Sequence, residues 1–257
     1  MAHRAVSTRI ERQMLLLLLW PMTAMPRPQR CENAYKRATL QQRQIANVFI
    51  DVGANYGSSL DRAVTTVLKD RLPDASIYLF EPNDEFNQGL TKKLEQLDSR
   101  YKELINAAVW NETASRVFFR QSNAPQVSKK TGIYYKAAGS SLFNRRQEIL
   151  KDGSRYAAAP YETCTIDFVS FLLSHFKRKQ HIIIKLDAEG AEFEIIAAIL
   201  RSPAALQLID ELYIEWHGTK FRRDLCPPRH RAHLCPLEQA LLSQLKDQGV
   251  NASVWGE

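Results

Sequence analysis

Five apolar runs in this sequence end on a residue that can bind or move charge: Asp51, Glu81, Asn106, Asp187 and Glu215. One acid at a strand end is commonly a helix cap, but five polar ends point to a shared rim. The first run continues into a glycine pair. Residues 49–60 read FIDVGANYGSSL, with Gly53 and Gly57 flanking Asn55. Gly53 permits a sharp turn and close approach of a ligand. Gly57 relieves crowding where a helix starts, and that helix end offers free N–H groups and positive potential. A pyrophosphate cradle reads G-x-G-x-x-G. Here the acid comes first and Asn55 stands where a dinucleotide loop has glycine. Asp51 would repel a phosphate and attract a cation.

S-adenosylmethionine suits such a loop, since it carries an ammonium, a carboxylate and a sulfonium but no phosphate. Glu81, at the end of the second run, is placed to accept both ribose hydroxyls, as acids do at this point in dinucleotide folds. Asn106 then hydrogen-bonds the adenine edge or holds its loop.

The elements that must position these residues alternate. Residues 48–52, 77–80, 103–109, 182–187 and 212–216 read as buried strands, and 250–255 as a last one. Between them, Leu60, Val64, Val67 and Leu68 mark one helix face. Phe86, Leu90, Leu94 and Leu97 mark a second, and Phe168, Phe171, Leu172 and His175 a third. Phe193, Ile196, Ala197 and Leu200 mark a fourth, and a further helix falls near 237–247. Short extended pieces are expected at 116–120 and 162–166, and a helix around 144–151 within an active-site insertion at 121–160. Strands alternating with helices imply an α/β fold, a Rossmann-like doubly wound and mostly parallel sheet with ligands at the strand carboxyl ends. Residues 1–24 form a leader, 25–45 a lead-in segment, and 46–257 the main domain.

The stretches DVGANYG, LFEP, INAAVW, GSSL, TCTIDF, IIIKLDAEGAEFEIIAAI and LYIEWHG occur in an order that resembles the FkbM-type family of class I S-adenosylmethionine-dependent methyltransferases, over about residues 46–218. The resemblance implies that cofactor and methylation of a hydroxyl, on a small molecule or glycan. Carried over, Asp51, Gly53, Asn55 and Gly57 match the cofactor loop. Glu81 matches the ribose acid, and Asn106 and Ala107 the adenine side. Asp187 and Glu189 match the acid pair beside the methyl group. Asp187, Glu189 or His217 is the candidate general base, and Asp187 is alternatively purely electrostatic. In catechol O-methyltransferase-like enzymes a divalent ion sits where Asp187 and Glu215 fall here, but two carboxylates are an incomplete ligand set and a metal-free reaction is expected. Class I enzymes usually end in a hairpin that adds an antiparallel strand, and only one strand remains here to make it. A non-catalytic cofactor-binding domain is one alternative function. A nicotinamide-dependent oxidoreductase is another, disfavoured by the acid-first loop.

Residues 226–235, CPPRHRAHLC, hold Cys226, His230, His233 and Cys235. The spacing does not match familiar zinc fingers. A Cys226–Cys235 disulfide is the reading for a secreted protein, with zinc, free thiols or a solvated basic loop as the others. Arg222, Arg223 and Arg229 in this region are candidates for recruiting an anionic acceptor.

The net charge of +7 is uneven: residues 1–30 contribute +4 and 220–231 another +4, leaving −1 elsewhere. A basic stripe with interleaved aromatics is missing, so no nucleic-acid partner is expected. The leader sets MLLLLLW after Arg4, Arg9 and Arg12, with Pro21 and small residues near Ala24 following. This is the layout of a secretory signal peptide, and its core is too short for a membrane span. A mitochondrial leader or a docked amphipathic helix would read similarly. The sequons at Asn111 and Asn251 and the even cysteine count lean toward the secretory pathway or the exterior, against a cytoplasmic or mitochondrial location. Amino-terminal sequencing of protein purified from a secreting host is expected to start beyond residue 20, and an intact Met1 in mature material would reject the leader.

Overall fold

A computed structural model describes residues 31, 45–121, 126–127, 134–135, 140–143, 158–226 and 234–255. Its frame is a six-stranded sheet ordered β3-β2-β1-β9-β10-β11, every neighbouring pair parallel. The strands are β1 (Asn47–Val52), β2 (Ala75–Phe80), β3 (Tyr101–Ile105), β9 (His181–Leu186), β10 (Glu211–Ile214) and β11 (Asn251–Val254). Strand order reverses between β1 and β9. In doubly wound folds, ligands bind at the carboxyl ends of the strands flanking this reversal.

The alternating residues of the central strands feed two apolar layers. Val48, Ile50, Ile182 and Ile184 pack with Phe171, Phe193 and Leu241 from helices α3 (Phe168–His175), α4 (Glu192–Leu200) and α7 (Pro236–Asp247). Phe49, Ile77, Leu79 and Ile183 face the other way, against Leu60 and Leu90 of α1 (Ser58–Thr65) and α2 (Asn87–Gln96). Coverage on both faces is why the strands are uniformly apolar rather than alternating. Each fully buried Phe, Leu or Ile contributes about 1.5–3 kcal/mol. The short helices α5 (Pro203–Leu206) and α6 (Gly218–Phe221) flank β10.

The expected third strand over 103–109 is two strands. β3 stops at Ile105, the Ala107 N–H turns back to the Ile105 carbonyl at 2.9 Å, and β4 (Ala108–Trp110) leaves the main sheet. β4 joins a second sheet, β4-β8-β5, with β5 (Ala114–Gln121) and β8 (Ala158–Asp167) antiparallel. Register pairs Gln121 with Ala158, so the 121–160 insertion is the long connection of this hairpin. Within it, β6 (Gln126–Val127) pairs with β7 (Tyr134–Tyr135). The helix expected near 144–151 lies outside the described residues, as does most of 25–45.

α1 ends at Thr65, short of Val67 and Leu68, although Leu68 is still buried. β11 pairs parallel with β10, and among the described residues no antiparallel strand joins the main sheet. β11 is thus one more parallel strand of the main sheet.

Two disulfides staple the fold. Cys226–Cys235 closes the short basic loop, with Cα atoms 5.7 Å apart. Cys31–Cys164, at 5.3 Å, ties the segment before β1 to β8 across 133 residues. Sequence alone does not give that connectivity. In a chain-entropy account, closing a loop on the order of a hundred residues contributes about 4–5 kcal/mol. No helix among the described residues is long and apolar enough to cross a membrane.

Candidate functional site

A cleft of about 560 Å³ opens at the strand carboxyl ends, between the two sheets. Gly53, Asn55, Glu81, Asp187 and Glu189 form its main-sheet side. Ala107, Ala108, Val109 and Phe118 form the second-sheet side, and Ser140 and Leu142 belong to a strap between them.

The glycine loop is built into this rim. Gly53 has φ 79°, and a Cβ there would lie 1.9 Å from the Asp187 carbonyl oxygen, so only glycine fits. Its N–H and that of Ala54 donate to the Phe80 carbonyl, at 2.9 and 3.1 Å. Gly57, at φ 76°, precedes α1, and a Cβ there would crowd Lys93 and Leu90. Asn55 also has positive φ, 50°. Its N–H donates to Glu81 Oε2 at 2.8 Å, and its buried Oδ1 has no hydrogen-bond partner among the described residues.

Glu81 is buried, and Oε1 accepts the Asn83 N–H at 2.8 Å. Burial pushes its carboxyl up to about 7, against the pull of the two backbone N–H groups. Asn106 is exposed and is not on the cleft wall, whereas Ala107 is. In the amide orientation that satisfies its neighbours, Asn106 donates to the Glu81 and Pro82 carbonyls at 2.9 and 3.3 Å and accepts from Asn87 at 3.2 Å. It therefore holds the Glu81 backbone.

Asp51 does not reach the cleft. It is fully buried, accepts from the Ser59 hydroxyl at 2.5 Å, and lies 3.4 Å from Lys185 Nζ. Burial raises its carboxyl above the ordinary range despite Lys185 and Ser59. Lys185 is the site residue that sequence reasoning passed over; its signal was a lysine inside the apolar run IIIKLD. Its ammonium also contacts Asp187 Oδ2 at 2.8 Å and the Gly53 carbonyl at 3.3 Å. Burial opposes its charge, but Asp187 and Asp51 outweigh burial and hold it protonated. For Asp187, burial opposes ionisation, and Lys185 with His217 wins, so its carboxyl sits below the usual range.

Beyond Asp187 the turn is strained. Glu189 has φ 46°, in the left-handed region, and its Oε2 accepts from Lys220 Nζ at 2.7 Å. Burial raises its carboxyl in spite of His217 and Lys220. Glu192, also passed over, is fully buried and accepts the Ala188 and Gly190 N–H groups, each at 2.9 Å. It contacts His217 Nδ1 at 3.0 Å, while Nε2 lies 3.7 Å from both Glu189 and Glu215. Burial disfavours the imidazolium, but Glu189 and Glu192 outweigh it and push His217 up to about 9. At neutral pH His217 is therefore a donor and not a base. Glu215 is half-exposed on the same rim.

One ligand atom each of Asp187, Glu189 and His217 lies within 4.8 Å of the others, a different set from the Asp187–Glu215 pair considered for a metal. The donors do not fit a divalent ion as they stand. Lys185 and Lys220 already neutralise the carboxylates, and the imidazole holds its protons. The basic loop also differs from expectation. Arg222 is buried, pairs with Glu194 and Asp224, and lies over the Phe143 and Phe193 rings, so it is structural rather than recruiting an acceptor. Arg223 is exposed, and Arg229, His230 and His233 lie outside the described residues. Both sulfurs of Cys226 and Cys235 are taken by their disulfide. Glu238 links that loop to the rim, accepting from the Cys235 and Gly218 N–H groups at 2.7 and 3.1 Å.

Lys185→Met leaves Asp51 buried without its cation, and urea unfolding is expected to show a loss of about 3–5 kcal/mol. Adding Asp51→Asn should recover part of it. His217 binds its proton more tightly folded than unfolded, so its stabilisation is complete below pH 6.5 and is lost as pH rises through about 9. The unfolding free energy is expected to fall by on the order of 2–3 kcal/mol across that window, and His217→Gln should flatten the dependence.

The chain matches no curated protein and no solved structure. A family does match: the Methyltransferase FkbM domain aligns with residues 51–249, from the buried Asp51 beside Lys185 to the turn before β11. That span contains the residues lining the cleft, the whole second sheet and the acid-lined rim, and the chain belongs to the FkbM methyltransferase family.

Proposed function

We propose that this chain is an S-adenosylmethionine-dependent methyltransferase that methylates a hydroxyl oxygen of a small molecule or glycan. The observation carrying this reading is the charge of the cleft lining. Three carboxylates, Glu81, Asp187 and Glu189, face it, and among the described residues no lysine or arginine lines it. Lys185 and Lys220 are committed to Asp187 and Glu189, so the described wall offers no cation to a pyrophosphate, while its carboxylate oxygens offer acceptors to the hydroxyls and ammonium of such a cofactor. It therefore argues against a nicotinamide dinucleotide.

When bound, the cofactor supplies an activated methyl group on a sulfonium. Glu81, fixed by the Asn55 and Asn83 N–H groups, keeps lone pairs for the ribose hydroxyls. Phe86, Val109, Phe118 and Leu142 give an apolar wall that takes the adenine and excludes water. The unbonded Asn55 Oδ1 is an acceptor for an ammonium or hydroxyl. Asp187 stays ionised and offsets positive charge. Glu189, the more basic of the acid pair, accepts the proton of the attacking hydroxyl, and His217 and Lys220 stabilise the ionised rim around it. The displacement itself needs positioning above all.

Two disulfides are most at home in an oxidising compartment, which supports action in the secretory pathway.

Titration calorimetry is expected to show binding of S-adenosylmethionine and S-adenosylhomocysteine and none of NAD. Glu81→Gln should weaken that binding by roughly tenfold or more, since it loses a charged acceptor. Binding of NAD with no response to S-adenosylmethionine would reject the reading. A screen of hydroxyl-bearing glycans and small molecules then separates turnover from mere binding.

A further inference from the structure

The strap at 140–143 is fastened at both ends of the cleft by one side chain and its backbone. Ser141 is buried and forms an isolated antiparallel bridge with Phe119 of β5. Its N–H donates to the Phe119 carbonyl at 3.0 Å and its carbonyl accepts the Phe119 N–H at 2.7 Å. Its hydroxyl crosses to the main sheet and donates to the Glu189 carbonyl at 2.6 Å, while accepting the Phe143 N–H at 3.0 Å. Every hydrogen-bonding group of Ser141 is thereby used, and its two neighbours, Ser140 and Leu142, line the cleft.

The residue it grips is the strained one. A non-glycine residue in the left-handed region persists only where its surroundings hold it there. Glu189 is held on its side-chain flank by Lys220 and on its carbonyl by Ser141. On the C-terminal side, Gly190 has φ 104°, and its N–H is fixed by Glu192. Without the hydroxyl bond the Glu189 peptide can relax toward ordinary φ, which would swing both its carboxylate and the Asp187–Ala188 wall of the cleft.

We infer that Ser141 is a positioning residue: its hydroxyl clamps the Glu189 carbonyl, holds that residue in its left-handed conformation, and locks the second sheet over the cofactor cleft. This rests on reading the cleft as the cofactor site. The role differs from that of a core serine because it acts through the conformation of one other residue.

A double-mutant cycle tests it. Glycine adopts positive φ without strain, so Glu189→Gly removes the need for the clamp while keeping the carbonyl. S-adenosylhomocysteine affinity, measured by calorimetry, is expected to fall about tenfold on Ser141→Ala in the parent, and less than threefold on Ser141→Ala in the Glu189→Gly background. The same cycle is read in Tm, which requires no ligand: Ser141→Ala should lower Tm markedly in the parent and by less than half as much beside Glu189→Gly. A Ser141→Ala protein that folds only in the Glu189→Gly background supports the inference equally. Equal losses in both backgrounds overturn it, as does failure to fold in both, because each marks a packing role independent of Glu189. If the parent binds no S-adenosylhomocysteine, the cofactor reading fails, and the Tm cycle still decides the role of Ser141.

Discussion

The Lys185 ammonium is the contact on which the rest of the rim depends. It sits at the end of β9, beside the strand-order reversal, and joins the acid ending β1 to the acid following β9 while touching the Gly53 carbonyl. Parallel strands bring their carboxyl ends to one edge, so the acids that close them converge. Like charges at that edge repel unless a cation lies between them. Lys185 supplies that cation from within the sheet, next to the apolar run Ile182, Ile183 and Ile184 of the same strand. The close packing of the glycine loop against Asp187 is possible because this charge is balanced, and because residue 53 carries no Cβ.

A second balanced cluster lies further along the rim. His217 stands among Asp187, Glu189, Glu192 and Glu215, and its protonated ring answers charge that would otherwise be buried without a partner. Glu192 anchors the turn from below through two backbone N–H bonds, and the Cys226–Cys235 loop backs the His217–Gly218 corner through Glu238. The ionisable groups facing the cleft are therefore preorganised rather than loosely solvated. Preorganisation of this kind is what positioning chemistry and charge stabilisation both require.

Much of the fold was legible in the chain. Apart from Asp51 and Lys185, residues 48–52 and 182–186 are apolar without alternation and read directly as strands covered on both faces, and Phe168, Phe171, Leu172 and His175 fall on the buried face of α3 as spaced. The third strand was not legible as two, because the stretch INAAVW is apolar on both sides of Asn106, and one polar residue does not by itself say that hydrogen bonding passes there from one sheet to another. The partner of Asp51 was not legible for a related reason. The acid's position ahead of the glycines suggested a cation partner, and the partner is a lysine from a distant strand. Arg222 likewise looked like a surface charge in a basic stretch, yet Glu194, 28 residues earlier in the chain, draws it inward.

From the sequence alone come the alternation of strand and helix, the acids at strand ends, the glycine loop without a phosphate signature, and the family motifs in order. These depend on local periodicity and on residue types at short spacing, which are properties of the linear chain. Only the tertiary structure decided which charges meet: Lys185 with Asp51 and Asp187, His217 with Glu192, Cys31 with Cys164, Ser141 with Glu189. Each of these contacts spans a separation that only the folded sheet order sets, except the Lys185–Asp187 step, because residues two apart along an extended chain project to the same side. Coulomb and hydrogen-bond energies depend on distance and burial, and neither exists until the chain has packed.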